Sequence, residues 1–578
     1  DVLSGADGRV IRATTSAGTQ LLYSNFEDYY DAKNGEDIEL TIDATIQYYL
    51  EKHLKQAVED YDVQKGAAAI AMDPSTGEIL GMVSLDNFDL NNYQAVSEAD
   101  QALIDAATSD EEKSALRTAA QQRQWRNKAI SDTYEPGSVF KILTLSMALE
   151  EGVTNMNDSF YCSGSVQVTG DDEPRKCWKT GGHGMQTLTQ AVQHSCNVAF
   201  VNLGVRVGAQ NFYKYAEAFG LLNLSDNPDT LQSGKTGIDM AGESGSIWWS
   251  QNVFYQKNNL SQLAAASFGQ TFTITPIQLI TAVSAAINGG NLMKPYLVKE
   301  IRDSNGEVLQ ANQPTVVRQV ISEQTSKEVR SILERVVGDN VDGTGKNAYV
   351  AGYQIGGKTG TSEKVAQDAT GARKEYIVSF LGFAPADDPK IAILILLDTP
   401  SSESGVYISG GNMAAPVVGH MMADILPYIG VEPSYTQSEA AVMDKSVPSV
   451  RGMSLAQAEQ ALSAAGLTYR VIGDGETVTD QLPKAFSVIA DGSQIILYAD
   501  AEPSAEQESV PSVVGYSYAD ASLMLSYYGL FVRTDSSIVN PKTQMVSTQS
   551  IPVGEMVDHG TVVDVTLVSG DTSMMGRY

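Results

Sequence analysis

Apolar positions recur at helical spacing from Asp43 onward, with Ile46, Tyr49, Leu50, Leu54 and Val58 on one face. Asp43 stands where an N-cap belongs, so a helix is expected from there to about Tyr61. The period then changes. Two short apolar runs, Ala67 to Met72 and Glu78 to Val83, flank the turn Asp73-Pro74-Ser75-Thr76-Gly77 and read as a hairpin. Residues 95–122 are polar and Ala-rich, which predicts a helical insertion. An apolar helix is expected over Ser138 to Glu150, opened by Glu135-Pro136-Gly137, with others over 186–206, 274–288 and Ala415 to Leu426. Tyr376 to Ala384 and Lys390 to Asp398 have strand character. Hairpins mixed with helices in this way predict a multi-domain α+β chain whose largest part is an antiparallel sheet flanked by helices.

The two ends have a different texture. Residues 1–38 alternate in short segments between Gly and Asp turns, as a fragment of a β-rich module does. Past residue 430 an internal repeat appears: Val447-Pro448-Ser449-Val450-Arg451-Gly452 returns as Val510-Pro511-Ser512-Val513-Val514-Gly515. Both copies run through a helix to a Gly-Leu pair, Gly466-Leu467 and Gly529-Leu530, and then into strands, which describes two small α/β modules in tandem. Glu502 to Glu508 reads as a polar linker between them. The expected organisation is a β-rich remnant over 1–38, a central domain over 39–430, a linker over 431–446, and modules over 447–501 and 509–570.

At 578 residues the chain exceeds a single core. With 70 acidic against 39 basic residues it carries a net charge of −31, which excludes a nucleic-acid partner because phosphates would repel it. No apolar run approaches the roughly 20 residues of a membrane helix. The chain opens at Asp1 inside a Gly-containing turn, so it is read as cut there, with a signal or anchor upstream.

Acyl transfer by a serine needs a base beside the hydroxyl and donors for the oxyanion. Ser138 and Lys141 lie three residues apart at a helix start and share a face; no other lysine has a serine three residues before it. The plain alternative is a helix cap followed by a surface lysine. A second hydroxyl–amide pair and a basic strand are needed in the same cleft. Three Ser-x-Asn candidates exist, at Ser195, Ser225 and Ser250, and Lys235 and Lys358 are weighed as Lys-Thr-Gly candidates. Ser195-Cys196-Asn197 lies between apolar helical segments, and Lys358-Thr359-Gly360-Thr361 leads toward the apolar strands; the others sit in loops. Gly356 and Gly357 are expected to let a substrate backbone approach the strand closely.

Glu135-Pro136-Gly137-Ser138-Val139-Phe140-Lys141, Ser195-Cys196-Asn197 and Lys358-Thr359-Gly360-Thr361, in that order, resemble the motif triple of class B penicillin-binding proteins. Met72 to Leu80, Gly269-Gln270 through Thr275-Pro276, and Asn288-Gly289-Gly290 fit the same resemblance, and the terminal repeats resemble PASTA domains of Gram-positive cell-wall proteins. The resemblance implies a peptidoglycan D,D-transpeptidase, anchored by a single span at the extracytoplasmic face of the membrane. Its partners would be stem peptides, β-lactams as inhibitors, and a membrane glycosyltransferase. Ser138 would attack the penultimate D-Ala carbonyl, Lys141 would take the proton with its pKa lowered by a cation such as Lys358, and Ser195 would relay it. Asn197 would hold the substrate amide, Lys358 and Thr359 its carboxylate, and the backbone N–H groups of Ser138 and Thr361 would form the oxyanion hole, with Thr359, Gly360 and Thr361 as the substrate-binding residues of the strand. Residues 1–38 would be the remnant of the N-terminal pedestal. The alternatives are a β-lactamase or D,D-carboxypeptidase, or a penicillin sensor or wall-binding protein whose serine does not turn over.

Cys162, Cys177, His183 and Cys196 supply three thiolates and an imidazole around the Ser195 motif, a tetrahedral zinc set. A Cys162–Cys177 disulfide with a buried Cys196 is the competing reading. The sporulation-specific, SpoVD-like group of the family carries zinc at similar positions, so the resemblance implies a structural zinc.

Overall fold

The computed structural model describes residues 2–12, 27–85, 87–225, 227–339, 341–364, 374–434, 445–489, 493–501, 507–534 and 544–569. Its centre is a five-stranded antiparallel sheet in the spatial order Gly356–Glu363, Tyr376–Ala384, Ile391–Asp398, Ala67–Met72, Ile79–Ser84. Successive side chains of a strand face opposite sides, and both sides here are covered. Ala392, Leu394 and Leu396 join one core with the helices Lys141–Glu150, Asn197–Val207, Pro276–Ile287 and Glu323–Gly338. Ile391, Ile393, Ile395 and Leu397 join the other with Ala44–Asp60 and Ala415–Tyr428. A strand buried on both faces has no polar side, which is why Ile391 to Leu397 of the strand Ile391–Asp398 is an unbroken apolar run.

Asp43 caps its helix as the sequence suggests, its carboxylate accepting the N–H groups of Thr45 and Ile46. The polar insertion is two helices, Glu98–Ala106 and Asp110–Gln124, because Ser109 caps a new start. The 186–206 segment is also broken, into Leu188–Gln193 and Asn197–Val207, and the break falls on Ser195. At the N-terminus Arg9–Arg12 pairs with Glu27–Tyr30, and Asp37–Leu40 joins Val298–Arg302, so the expected boundary at residue 38 falls inside a strand of the central domain.

Each repeat is a helix against three strands whose middle strand pairs parallel to one neighbour and antiparallel to the other. Gln507–Ser509 pairs with Met556–Asp558, so the end of the expected 502–508 linker belongs to the second module. Residues 502–506, and 435–444 of the expected 431–446 linker, lie outside the described residues.

Candidate active site

The nucleophile segment enters along a bridge between Tyr134 and Ile274 and turns at Gly137. Gly137–Phe140 is a 3₁₀ turn that runs directly into the α-helix Lys141–Glu150. Ser138 therefore sits half-buried in the first turn, one turn before Lys141. Two backbones meet here: Gly137 N–H donates to Gly269 O at 3.0 Å, and a Cβ on Gly269 would collide with the Gly137 carbonyl. Glu135, treated in the sequence only as part of a turn, is structural in a second way. Its half-buried carboxylate accepts the N–H of Thr271, which holds that residue at φ +71° beside the turn, and burial raises its pKa.

Lys141 is fully buried. Its Nζ donates to Ser195 O at 2.7 Å, to Ser195 Oγ at 3.2 Å and to Asn197 Oδ1 at 2.7 Å. Ser195 is in the left-handed region at φ +51°, a strained position for a side-chain-bearing residue and of the kind that collects at functional sites. That backbone turn exposes both its carbonyl and its hydroxyl to Lys141. Lys358, also fully buried, approaches from the motif strand, and its Nζ donates to Ser195 Oγ at 3.0 Å. The three motifs thus converge on one hydroxyl.

Removing two ammonium groups from water disfavours their charge. Burial draws Lys141 down to about 7, with the Cys196 and Cys177 thiols working against the shift. Lys358 is held well below the ordinary lysine range, first by burial and then by the charge of Lys141. Burial is the first cause that favours the neutral form of Lys141, and the two ammonium groups repel each other across the site.

The motif strand Gly356–Glu363 is the edge of the sheet. Gly356 and Gly357 serve opposite faces of it: a Cβ on Gly356 would run into the ring of Phe383, and one on Gly357 into the ring of Phe380. Their part in the sheet is to seat these aromatic rings. Thr361 Oγ1 accepts the N–H of Gly410, tying the strand to the segment before the Ala415–Tyr428 helix. The other candidates lie elsewhere: Thr236 and Gly237 are held in a loop by the Glu243 carboxylate, Ser250 precedes the short helix Gln251–Phe254, and Asp226 of Ser225-Asp226-Asn227 lies outside the described residues.

Cys162, Cys177, His183 and Cys196 form the one cluster of metal-ligating type among the described residues, with all ligand atoms within 4.8 Å of one another. The three cysteines are free and buried. Cys177 Sγ lies 3.7 Å from His183 Nδ1, close to a ligand–ligand edge of a zinc tetrahedron, about 3.5–3.8 Å from Zn–S and Zn–N lengths. A hydrogen bond from Cys196 holds the Cys177 thiol below the usual thiol range, which favours the thiolate a metal would bind. The donor set fits a tetrahedral metal. The loop it would fix matters to the site, because the Lys176 carbonyl accepts Asn197 Nδ2 at 3.3 Å and Trp178 Nε1 donates to His194 O at 2.9 Å.

Residues 67–423 match the model of the penicillin binding protein transpeptidase domain, well over half of the chain. The chain belongs to that family. Residues 445–501 and 508–569 of this penicillin-binding protein match the PASTA domain. It is 39% identical over 513 residues to stage V sporulation protein D of Bacillus subtilis, covering 88% of this chain and 72% of that protein. Over 429 residues it is 31% identical to penicillin-binding protein PbpB of Mycolicibacterium smegmatis, covering 72% of this chain and 58% of that one. Among solved structures, penicillin binding protein 3 of Mycobacterium tuberculosis complexed with aztreonam superposes with a TM-score of 0.57 at 26% identity, over 70% of this chain and 82% of the other. Penicillin binding protein 2X of Streptococcus thermophilus, at 20% identity and a TM-score of 0.57 over 98% of this chain and 77% of that one, shares the fold.

Proposed function

We propose that this penicillin-binding protein is a serine D,D-transpeptidase that cross-links peptidoglycan stem peptides. The observation that carries the reading is the meeting of Lys141, Ser195 and Lys358 around one hydroxyl, with Lys141 poised near neutrality. Ser138 Oγ attacks the penultimate D-Ala carbonyl while neutral Lys141 takes its proton. The tetrahedral oxyanion is met by the backbone N–H groups of Ser138 and Thr361. Collapse expels the terminal D-Ala, whose amine is protonated through Lys141 and Ser195. An amine of a neighbouring stem peptide then attacks the acyl-enzyme and leaves Ser138 free. Asn197 holds the donor amide, Lys358 and Thr359 the carboxylate, and Gly360 binds beside them on the strand, where a Cβ would run into Ser379 Oγ and Val139. A β-lactam acylates the same serine.

Zinc is the metal this reading assigns to Cys162, Cys177, His183 and Cys196. With four protein ligands it would be structural, supplying rigidity to the loop that holds Asn197 through Lys176. The reading places the work at the extracytoplasmic face of the membrane, where stem peptides are found, with a membrane tether and a membrane glycosyltransferase beside it. The similarity to a sporulation protein favours a role in spore wall synthesis over division or elongation.

The test is intact-mass spectrometry after incubation with a penicillin, beside Ser138→Ala. A stable adduct on the wild type alone is expected. No adduct with the drug unconsumed would favour a wall-binding protein, and no adduct with the drug hydrolysed a lactamase.

A further inference from the structure

The left-handed turn that turns both oxygens of Ser195 to Lys141 follows a six-residue helix, Leu188–Gln193. A helix this short does not by itself hold a strained turn at its end. Its final residue is tied to another part of the chain. Gln193 is 4% exposed, and its Nε2 donates to Arg335 O at 3.2 Å and to Asp339 Oδ2 at 2.9 Å. Arg335 lies in the last turn of the helix Glu323–Gly338, and Asp339 is the residue that closes it. The Asp339 carboxylate also accepts the N–H groups of Val341 and Asp342, and the Val341 bond is the first cause that holds it below the ordinary carboxylate range. The backbone carbonyl of Gln193 accepts the N–H of Thr344 at 3.2 Å.

From Thr344 the connection crosses to the motif strand. A Cβ on Gly411 would lie 2.6 Å from Thr344 O, and Asn347 Nδ2 donates to Gly411 O at 2.9 Å. The neighbouring Gly410 N–H donates to Thr361 Oγ1 at 3.0 Å. One buried amide therefore joins the turn that carries Ser195 to the segment that seats Thr361. Lys141 and Lys358 also touch Ser195, but each changes its charge as protons move. An amide does not titrate, so the spacing it sets is the same in every protonation state of the two lysines.

We propose that Gln193 is a positioning residue of the acylation step, holding the Ser195 oxygens on Lys141 and the Ser195 turn at a fixed distance from Thr361; the inference rests on the transpeptidase reading. The test follows acylation of the whole chain by a fluorescent penicillin against drug concentration, at a temperature where circular dichroism shows each variant folded. Gln193→Met keeps the length and removes both donors. It should cut the rate at saturating drug about tenfold or more, the worth of one hydrogen bond to a charged group, and move the half-saturating concentration less. Gln193→Glu sets a carboxylate against Asp339 and should cost at least as much. Adding Asp339→Asn to it restores a donor and an acceptor with their direction reversed and should recover most of the lost rate; added to Gln193→Met it should recover none. A wild-type rate in Gln193→Met with only the melting temperature lowered makes the amide purely structural and overturns the inference. So does a Gln193→Glu/Asp339→Asn protein no faster than Gln193→Glu, and Gln193→Met decides alone where Gln193→Glu does not fold. Those outcomes leave the transpeptidase reading standing as long as the wild type is acylated on Ser138; a wild type that takes no penicillin brings down both.

Discussion

Replacing Asn197 by aspartate puts a carboxylate where an amide oxygen lies 2.7 Å from Lys141 Nζ, with almost no change of shape. In the wild type, burial brings Lys141 to about 7. At neutral pH roughly half of it is then the free amine, on the order of 10³-fold more than an ordinary lysine offers. Acylation needs that amine, so its rate should rise with pH below 7 and level off above. An opposite charge at contact distance raises a lysine by about 1–3 units. With a shift of about 2, the neutral fraction at pH 7 falls roughly 50-fold and recovers by about pH 9. The assay is the second-order rate of penicillin acylation from about pH 5 to 10. The aspartate also loses the amide that faces substrate, which lowers the plateau; the midpoint is the diagnostic quantity. A profile flat below pH 7 in the wild type, or a midpoint left near 7 in Asn197→Asp, would refute the assignment of Lys141 as the base.

Two further outcomes follow from the same geometry. Protein purified without chelator should contain one zinc per chain by elemental analysis, and Cys177→Ser should lower both zinc content and acylation rate; no zinc together with a Cys162–Cys177 disulfide would reverse the assignment. Gly410→Ala should destabilise the transpeptidase domain by about 1–3 kcal/mol, since its Cβ would collide with the carbonyls of Gly360 and Ser379, and should slow acylation by displacing Thr361; wild-type melting and rate would show that the segment yields freely.

The sequence carries the site's chemistry more openly than its mechanics. Serine, lysine and asparagine in fixed short spacings, together with their local helix and strand patterns, sufficed to separate Lys358 from Lys235 and Ser195 from Ser250. The left-handed turn at Ser195 left no mark, because no glycine or proline announces it; the strain is imposed by the two helices it joins. The glycines before Lys358 have a use in the sheet that stayed hidden for a related reason. Their purpose depends on Phe380 and Phe383, which reach them only through sheet pairing. Burial of Lys141 likewise comes from helices distant in the chain, so its neutrality could be expected but not its cause. The repeats were legible because a unit written twice declares its own length.

The contact between Gly137 and Gly269 joins main chain to main chain, and so does the seat of Gly410 against Gly360 and Ser379. Such spacings have no rotamers to relax and no side chain that selection can trim. Drift that dulls sensitivity to a drug therefore has little purchase at the nucleophile's own seat. It must work from the rim, through side chains that shape how a ligand arrives.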